Sequence, residues 1–259
     1  MCNIEYDILS NIYQSLSYIM LKKIDESLYP FTLNLINGEY VPPFETVTVK
    51  FDNPDHFITE FFCLNDDVDI QRSIDKEIEQ NDTYIEWKSH FKSVFNLPHI
   101  KKYMQTYSSS KYYEDFGKHN LQIELESNVL PLPRDQFLFR GCSHKEIPLK
   151  WEENEEFLWE LPRSTTLNLG VAKKHAFIDC TDENQFEPLL DLPLIPTVLA
   201  IKIADDSVEG YVFNYEECSD SKHEKEVLLS PNITLIKLKE IEFDSIKVIY
   251  VNAFGNKPT

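Results

Sequence analysis

Three short segments of the 259-residue chain carry side chains that could act on a charged ligand. In the first, Phe137-Leu138-Phe139-Arg140-Gly141, an apolar strand pattern ends on an arginine. A guanidinium at a strand end can present its planar fork to a phosphate or a ribose, and the following glycine lets a ligand approach the backbone closely. A surface arginine before a turn would have the same sequence, so both interpretations stay open for this segment.

The second segment, Arg163-Ser164-Thr165-Thr166-Leu167, places hydroxyl groups along a possible strand. Two hydroxyls on one strand face can orient a neighbouring carboxylate by hydrogen bonds. A helix N-cap or an ordinary threonine-rich strand would also explain these residue types.

The third segment, Glu224-Lys225-Glu226-Val227-Leu228-Leu229, begins with two acids spaced two apart. Both acids are predicted to lie at the start of a strand, and the period of two then places the two carboxylates on one face. A pair of carboxylates directly before an apolar strand suits acid-dependent chemistry on a sugar. On this segment alone, that chemistry and a solvated strand end are equally good explanations.

Taken in order, the three segments resemble the mono-ADP-ribosyltransferase family of the arginine–serine–glutamate type. That family has a strand-end arginine, then Ser-Thr-Ser, then Glu-x-Glu, and the stretch 224–229 is similar to its Glu-x-Glu-Val-Leu-Leu strand. The resemblance covers about residues 136–254, and Thr166 stands where the family usually has its second serine. Threonine keeps the hydroxyl, and agreement among three weak signals is stronger than any one of them.

The resemblance implies that NAD⁺ is the co-substrate and that the nicotinamide–ribose bond is cleaved without a metal. The catalytic residues would be Glu226, Glu224 and Ser164. Glu226 would stabilise the oxocarbenium-like ribose as the bond breaks. Ser164 would hold Glu226 in place, and Glu224 would orient or deprotonate the nucleophile that attacks the ribose.

The resemblance also implies a set of residues that bind NAD⁺. Arg140 would grip the phosphate side of NAD⁺, and Gly141 would offer a backbone contact. The hydroxyl segment Ser164, Thr165 and Thr166 would complete this set.

The acceptor of the ADP-ribose is predicted to be an arginine side chain of a protein. In the family, a glutamate at the position of Glu224 accompanies arginine acceptors. Glu216, Glu217 and Asp220 lie just before it and would attract a guanidinium, and Tyr215 could pack against the acceptor. The resemblance suggests a toxin or an effector. The acidic run at 152–156 is either a solvated face or a surface for a basic partner, such as an antitoxin or inhibitor protein.

Other functions remain open at this point. The chain could modify RNA or DNA bases, as family members of toxin–antitoxin and phage-linked systems do. Water could replace the acceptor, which would make the protein an NAD glycohydrolase. The chain could also be a catalytically silent NAD-binding or interaction module.

The composition narrows the class of protein. The formal net charge of −19 disfavours a general grip on a nucleic-acid backbone, although a small pocket for one nucleotide stays open. Neither Gly-x-Gly-x-x-Gly nor Gly-x-x-x-x-Gly-Lys occurs, so neither a dinucleotide-binding βαβ unit nor a P-loop is predicted. Five scattered cysteines and seven histidines show no ligand spacing, so we predict no disulfide framework and no metal site.

The N-terminus and the apolar runs bear on the location of the protein. The first residues carry acids and no basic n-region, and no apolar run reaches membrane-spanning length. The sequence therefore predicts no signal peptide, no transmembrane helix and no membrane partner. Reduced cysteines fit a cytoplasmic site of action.

The pattern of apolar residues predicts helices first and strands later, which is an α+β order. We expect a mostly helical N-terminal region over 1–125, either a lobe or a partner-binding module, and a catalytic core over 126–259. Together they would form an ADP-ribosyltransferase-like split mixed β-sheet core with a helical N-terminal lobe. Helices are predicted at 8–20, over much of 66–107 and at 170–177, and a loop or short connector at 108–120. Strands are predicted at 46–51, 121–124, 136–140, 198–204, 210–214, 226–229, 233–238 and 245–252.

Overall fold

The computed structural model describes Leu28 and residues 31–37, 45–51, 54–63, 67–91, 96–106, 109–142, 146–148, 150–186, 195–213 and 225–255. The strands are β1 (Phe31–Asn37), β2 (Glu45–Phe51), β3 (Leu130–Pro131), β4 (Phe137–Cys142), β5 (Glu156–Trp159), β6 (Arg163–Thr166), β7 (Thr197–Ile203), β8 (Glu209–Val212), β9 (Glu226–Leu229), β10 (Ile233–Phe243) and β11 (Ile246–Gly255). The helices are α1 (Pro54–Cys63), α2 (Asp67–Gln80), α3 (Asp82–His90), α4 (Pro98–Gln105), α5 (Ser109–Phe116), α6 (His119–Glu126) and α7 (Leu169–Phe186). The helix predicted at 8–20 lies outside the described residues.

The core is a nine-stranded mixed sheet with the order β3-β8-β9-β6-β4-β7-β11-β10-β5. β7 pairs in parallel with β11, whereas β4 pairs antiparallel with β7. β7 is apolar almost throughout and buried along most of its length, as expected for a strand covered on both faces. The predicted mixed sheet is therefore confirmed, and β4, β7, β8, β9, β10 and β11 lie where strands were predicted.

The region before residue 126 contains a second, two-stranded sheet as well as helices. β1 and β2 pair antiparallel, with Phe31 opposite Phe51. β2 matches the strand predicted at 46–51, whereas β1 was not predicted.

Helix α7 packs against β4 and shapes the strand that carries the candidate arginine. Asn168 caps its first turn, because the Asn168 side-chain oxygen accepts a hydrogen bond from the Gly170 amide at 2.8 Å. At Gly141, an added Cβ would lie 2.3 Å from the backbone nitrogen of Ala176 and 2.4 Å from the carbonyl oxygen of Ala172. The helix can approach β4 this closely only because residue 141 has no side chain.

Two predictions for the segment before the core sheet are wrong. Residues 121–124, predicted as a strand, lie inside α6, and the predicted loop at 108–120 contains α5. The sequence Leu-Gln-Ile-Glu-Leu alternates like a half-buried strand, but Ile123 is 48% exposed while Leu121 and Leu125 are fully buried. The buried residues are therefore four apart, which is the helical spacing.

This helix predicts a contrast between two substitutions. Leu125→Ala is expected to lower the free energy of unfolding by about 2–5 kcal/mol, because it empties a buried site. Ile123→Ala should cost less than about 1 kcal/mol, since the side chain is largely in water. Urea unfolding of the two variants measures the difference, and equal losses would instead support a strand with both residues inward.

No helix among the described residues is long and apolar enough to cross a membrane.

Candidate functional site

The three segments predicted to carry chemistry lie on three neighbouring strands. Arg140 and Gly141 lie on β4, Ser164 lies on β6, and Glu226 is the first residue of β9. The sheet order places β6 between β9 and β4. Only one residue pair, Phe139 with Thr166, joins the backbones of β4 and β6 in the ladder.

The register between β6 and β9 shows which hydroxyls share a face with Glu226. Thr166 lies directly opposite Glu226, and Ser164 lies opposite Leu228. Because residues opposite each other point to the same face, Thr166 is the direct cross-strand neighbour of Glu226 and Ser164 its diagonal neighbour. The Thr166 hydroxyl accepts a hydrogen bond from the Asn168 amide at 2.9 Å.

Thr165 alternates with these two residues, and its hydroxyl is used within the sheet. The Thr165 Oγ1 donates to the carbonyl oxygen of Val227 at 2.6 Å, and the residue is buried. This bond joins β6 to β9 and so helps to fix the register that places Thr166 opposite Glu226.

The backbone at Lys225 contradicts the expectation that one strand holds both acids of the Glu-x-Glu segment. β9 begins at Glu226, and Lys225 has φ of 46°, in the left-handed region. Strand alternation therefore does not extend back through Lys225, and Glu224 lies outside the described residues. The Lys225 side chain is buried as well: it is 2% exposed, and its Nζ donates to Glu79 Oε1 on α2 at 2.8 Å.

This ion pair predicts a specific loss of stability. Glu79→Ala leaves the buried ammonium of Lys225 without this carboxylate partner. Because Glu79 is 41% exposed, the loss of stability should be larger than for a surface ion pair and smaller than for a fully buried one. We expect a loss of about 2 kcal/mol in the free energy of unfolding. Glu77→Ala on the same helix is the matched control, and equal losses in urea unfolding would argue against a stabilising role for the pair.

Arg140 is bound by a carboxylate that the sequence did not reveal. Its Nε and Nη2 donate to the two oxygens of Glu146 at 3.2 and 2.5 Å, and its Nη1 donates to the carbonyl oxygen of Ser164 at 2.5 Å. Arg163 Nη1 also donates to Glu146 Oε1, at 3.1 Å. Burial opposes the charged form of Arg140, but the Glu146 carboxylate outweighs it and raises the pKa of this guanidinium above its ordinary value.

Tyr103, on α4, is near enough to these charges to interact with them electrostatically. Burial raises the pKa of its phenol to about 12, Arg140 and Arg163 oppose the shift, and Glu226 and Glu146 add to it. The phenol is therefore protonated at neutral pH and lies within electrostatic reach of all four charged groups. The Tyr103 hydroxyl is buried and has no hydrogen-bond partner among the described residues.

Helix α5 lies close to the start of β6, next to these charges. The hydroxyl of Tyr113 on α5 donates to the carbonyl oxygen of Pro162 at 2.9 Å. Burial raises the pKa of the Tyr113 phenol above its ordinary value, and the nearby guanidiniums of Arg163 and Arg140 oppose the shift. Two aromatic helices thus border the group of Arg140, Arg163, Glu146 and Glu226.

Little in the amino-acid sequence indicates that Tyr103 and Glu146 lie near Arg140. Tyr103 lies three positions after Ile100, a helical spacing that predicts burial for both residues but not what they cover. Glu146 is in irregular structure six residues after Arg140, where no periodic pattern identifies a partner.

A separate cavity of about 460 Å³ is lined by residues that include Asp55, Lys239 and Tyr250, and by none of the candidate site residues. Among the described residues, no group of three or more potential ligands could hold a metal ion.

The sequence matches no family model and no curated protein. Its structural neighbours are ADP-ribosyltransferase toxins. Vis toxin from Vibrio splendidus is 13% identical, with 75% of this chain and 90% of that chain covered and a TM-score of 0.42. Plx2a from Paenibacillus larvae is 15% identical, with 71% and 95% covered and a TM-score of 0.43. BECa from C. perfringens, solved with NADH, is 13% identical, with 82% and 52% covered and a TM-score of 0.44. At these sequence identities and TM-scores, the neighbours assign no role to any residue of this chain. The roles proposed for its residues therefore depend on the residues themselves.

Proposed function

We propose that this protein is an NAD-dependent mono-ADP-ribosyltransferase, which cleaves the nicotinamide–ribose bond and transfers ADP-ribose to an acceptor. The observation that carries the proposal is the adjacency of β4, β6 and β9, which brings Arg140, Ser164 and Glu226 onto neighbouring strands. Three segments far apart in the sequence, each suited to one part of the reaction, thus meet in one part of the sheet.

Glu226 is the proposed catalytic residue. When the bond between the ribose C1′ and the nicotinamide nitrogen breaks, its electron pair leaves with nicotinamide and positive charge develops on the ribose. A fixed carboxylate stabilises that charge most strongly where water is excluded, and Glu226 is 6% exposed. The hydroxyls of Ser164 and Thr166, on the same face, support the proposal because they can orient this carboxylate.

The phosphates of NAD⁺ are proposed to bind at Arg140, whose fork now holds a carboxylate of similar geometry. Gly141 offers a backbone contact and, through the close approach of α7, sets the position of β4. Thr165 supports the NAD-binding segment by tying β6 to β9.

The proposed acceptor is an arginine side chain of a target protein. One guanidine nitrogen attacks C1′ from the side opposite nicotinamide and loses a proton, for which Glu224 is the proposed base. Glu216, Glu217 and Asp220 would draw the guanidinium toward the site. These residues lie outside the described part of the chain, and their roles rest on the sequence. The setting we propose is that of a toxin or effector acting in a cytoplasm, with an antitoxin or inhibitor protein as a further partner.

The acceptor can be tested by incubating the full chain with labelled NAD⁺ and a whole-cell lysate. The products are divided by nuclease and by protease treatment, and modified peptides are read by mass spectrometry. Protein-bound ADP-ribose on arginine is expected, and a Glu226→Gln sample supplies the background. Label found only on RNA or DNA would contradict the arginine acceptor, and free ADP-ribose alone would indicate an NAD glycohydrolase.

A further inference from the structure

We propose that Arg163 and Tyr103 belong, with Arg140, to one diphosphate-binding site, and that the Glu146 carboxylate occupies this site when no dinucleotide is bound. The inference deepens the proposed function and rests on it, because it assigns the site to the diphosphate of NAD⁺.

The contacts of Glu146 are those expected of a bound anion. Its two oxygens accept hydrogen bonds from two nitrogens of Arg140 and one nitrogen of Arg163. The side chains of Arg140, Glu146 and Arg163 are 14%, 15% and 18% exposed. Guanidinium groups recognise carboxylates and phosphates through the same fork, so a phosphate can take the place of this carboxylate.

Two further buried polar atoms belong to residues that interact with these charges, and neither atom has a hydrogen-bond partner within the described part of the chain. Arg163 Nε and the Tyr103 hydroxyl have no hydrogen-bond partner among the described residues. A buried donor left unpaired costs free energy, so a ligand that satisfied both donors would gain affinity from them. A carboxylate has only two oxygens, whereas a diphosphate offers several more, and the protonated Tyr103 phenol can donate to one of them.

The local charges also favour a more negative occupant. Two guanidiniums pair with the one carboxylate of Glu146, so these three side chains together carry an excess positive charge, beside the carboxylate of Glu226. The diphosphate of a dinucleotide carries one negative charge on each phosphate and would balance both arginines. Until the diphosphate binds, the Glu146 carboxylate offsets the repulsion between the two guanidiniums and so stabilises the fold. The same carboxylate competes with the ligand for the two arginines.

The proposal predicts opposite effects of two substitutions on binding. Glu146→Gln keeps the size of the side chain but removes its charge, so the Kd for a diphosphate should fall about tenfold. Arg163→Lys keeps a positive charge but loses the fork and Nε, so the Kd should rise about tenfold. Glu153→Gln and Arg134→Lys, at exposed positions, are the matched controls and should leave Kd unchanged.

Isothermal titration of the full chain with inorganic pyrophosphate and with ADP-ribose measures these constants. Tighter binding by Glu146→Gln is decisive because a merely destabilised protein would not gain affinity. If only the Kd for ADP-ribose changes in the variants, the site binds a nucleotide-linked diphosphate. If the Kd values for both ligands change, the site binds the diphosphate group itself. If Glu146→Gln does not fold, the Kd of Arg163→Lys decides the matter.

The outcomes separate this inference from the proposed function. If neither ligand's Kd changes in folded variants while the wild type cleaves NAD⁺, the inference is wrong and the proposed function stands. If both Kd values shift as expected but NAD⁺ is never cleaved, the diphosphate site stands and the proposed function fails. Absence of binding by the wild type and by Glu146→Gln overturns the inference.

Discussion

Replacing Glu226 by glutamine is expected to lower the rate of NAD⁺ cleavage about a thousandfold or more, because the neutral amide no longer stabilises the positive ribose. Glutamine has nearly the same shape, and Glu226 lies opposite Thr166 at the start of β9, so the register should survive the change. The rate is measured at saturating NAD⁺ as the release of nicotinamide, which is quantified by chromatography.

Glu209→Gln is the matched control for this prediction, because Glu209 is a partly exposed glutamate on β8, the strand next to β9. It should leave the rate within about twofold of the wild type, as expected for a surface change away from the site. Thermal unfolding of both variants checks that they are folded. NAD⁺ cleavage by Glu226→Gln at the wild-type rate would remove Glu226 from the catalytic role, and a wild type that leaves NAD⁺ intact would remove the enzyme hypothesis altogether.

Gly141→Ala should be strongly destabilising, because a methyl group at this position has no room beside α7. The new Cβ would lie 2.3 Å from the Ala176 nitrogen and 2.4 Å from the Ala172 oxygen, both backbone atoms of α7 that can move only with the helix. We expect the free energy of unfolding to fall by about 3 kcal/mol, well beyond the small entropic gain of replacing glycine by alanine.

Gly210→Ala is the control, because a Cβ there would meet only side-chain atoms, with Leu132 Cδ1 at 3.1 Å and Val227 Cγ1 at 3.2 Å. These side chains can shift by a few tenths of an ångström, so the loss should be about 1 kcal/mol. The free energies of unfolding of the two variants are compared by urea unfolding, with tryptophan fluorescence as the signal. Equal losses at the two positions would mean that α7 is free to move away from β4.

Six strands of the core sheet, β4 and β7 to β11, were predictable from the sequence because their residue types and spacing are typical of strands. β7 and β11 are mostly apolar and rich in β-branched residues, which predicts buried strands without knowledge of their neighbours. The order of strands in the sheet did not follow from the residues themselves. That order is determined by pairings between distant segments, and it is what brings Arg140, Ser164 and Glu226 together.

Local patterns failed where burial depended on distant partners. Ile123 has the residue type and spacing of a strand core position, yet it faces water because α6 packs through Leu121 and Leu125. Lys225 has a side chain expected in solvent, yet it is buried against Glu79, 146 positions away. Its backbone is left-handed, and β9 begins at Glu226.

The core sheet consists of two groups of strands, and the seam between them is the single backbone pair that joins β4 to β6. Arg140 bridges this seam, since it lies on β4 and donates to the carbonyl oxygen of Ser164 on β6. The guanidinium proposed to bind the diphosphate is thus also part of what holds the two groups together. Ligand binding and the stability of the contact between the two groups of strands are then thermodynamically linked. A dinucleotide bound at Arg140 is therefore expected to raise the unfolding temperature as its concentration rises.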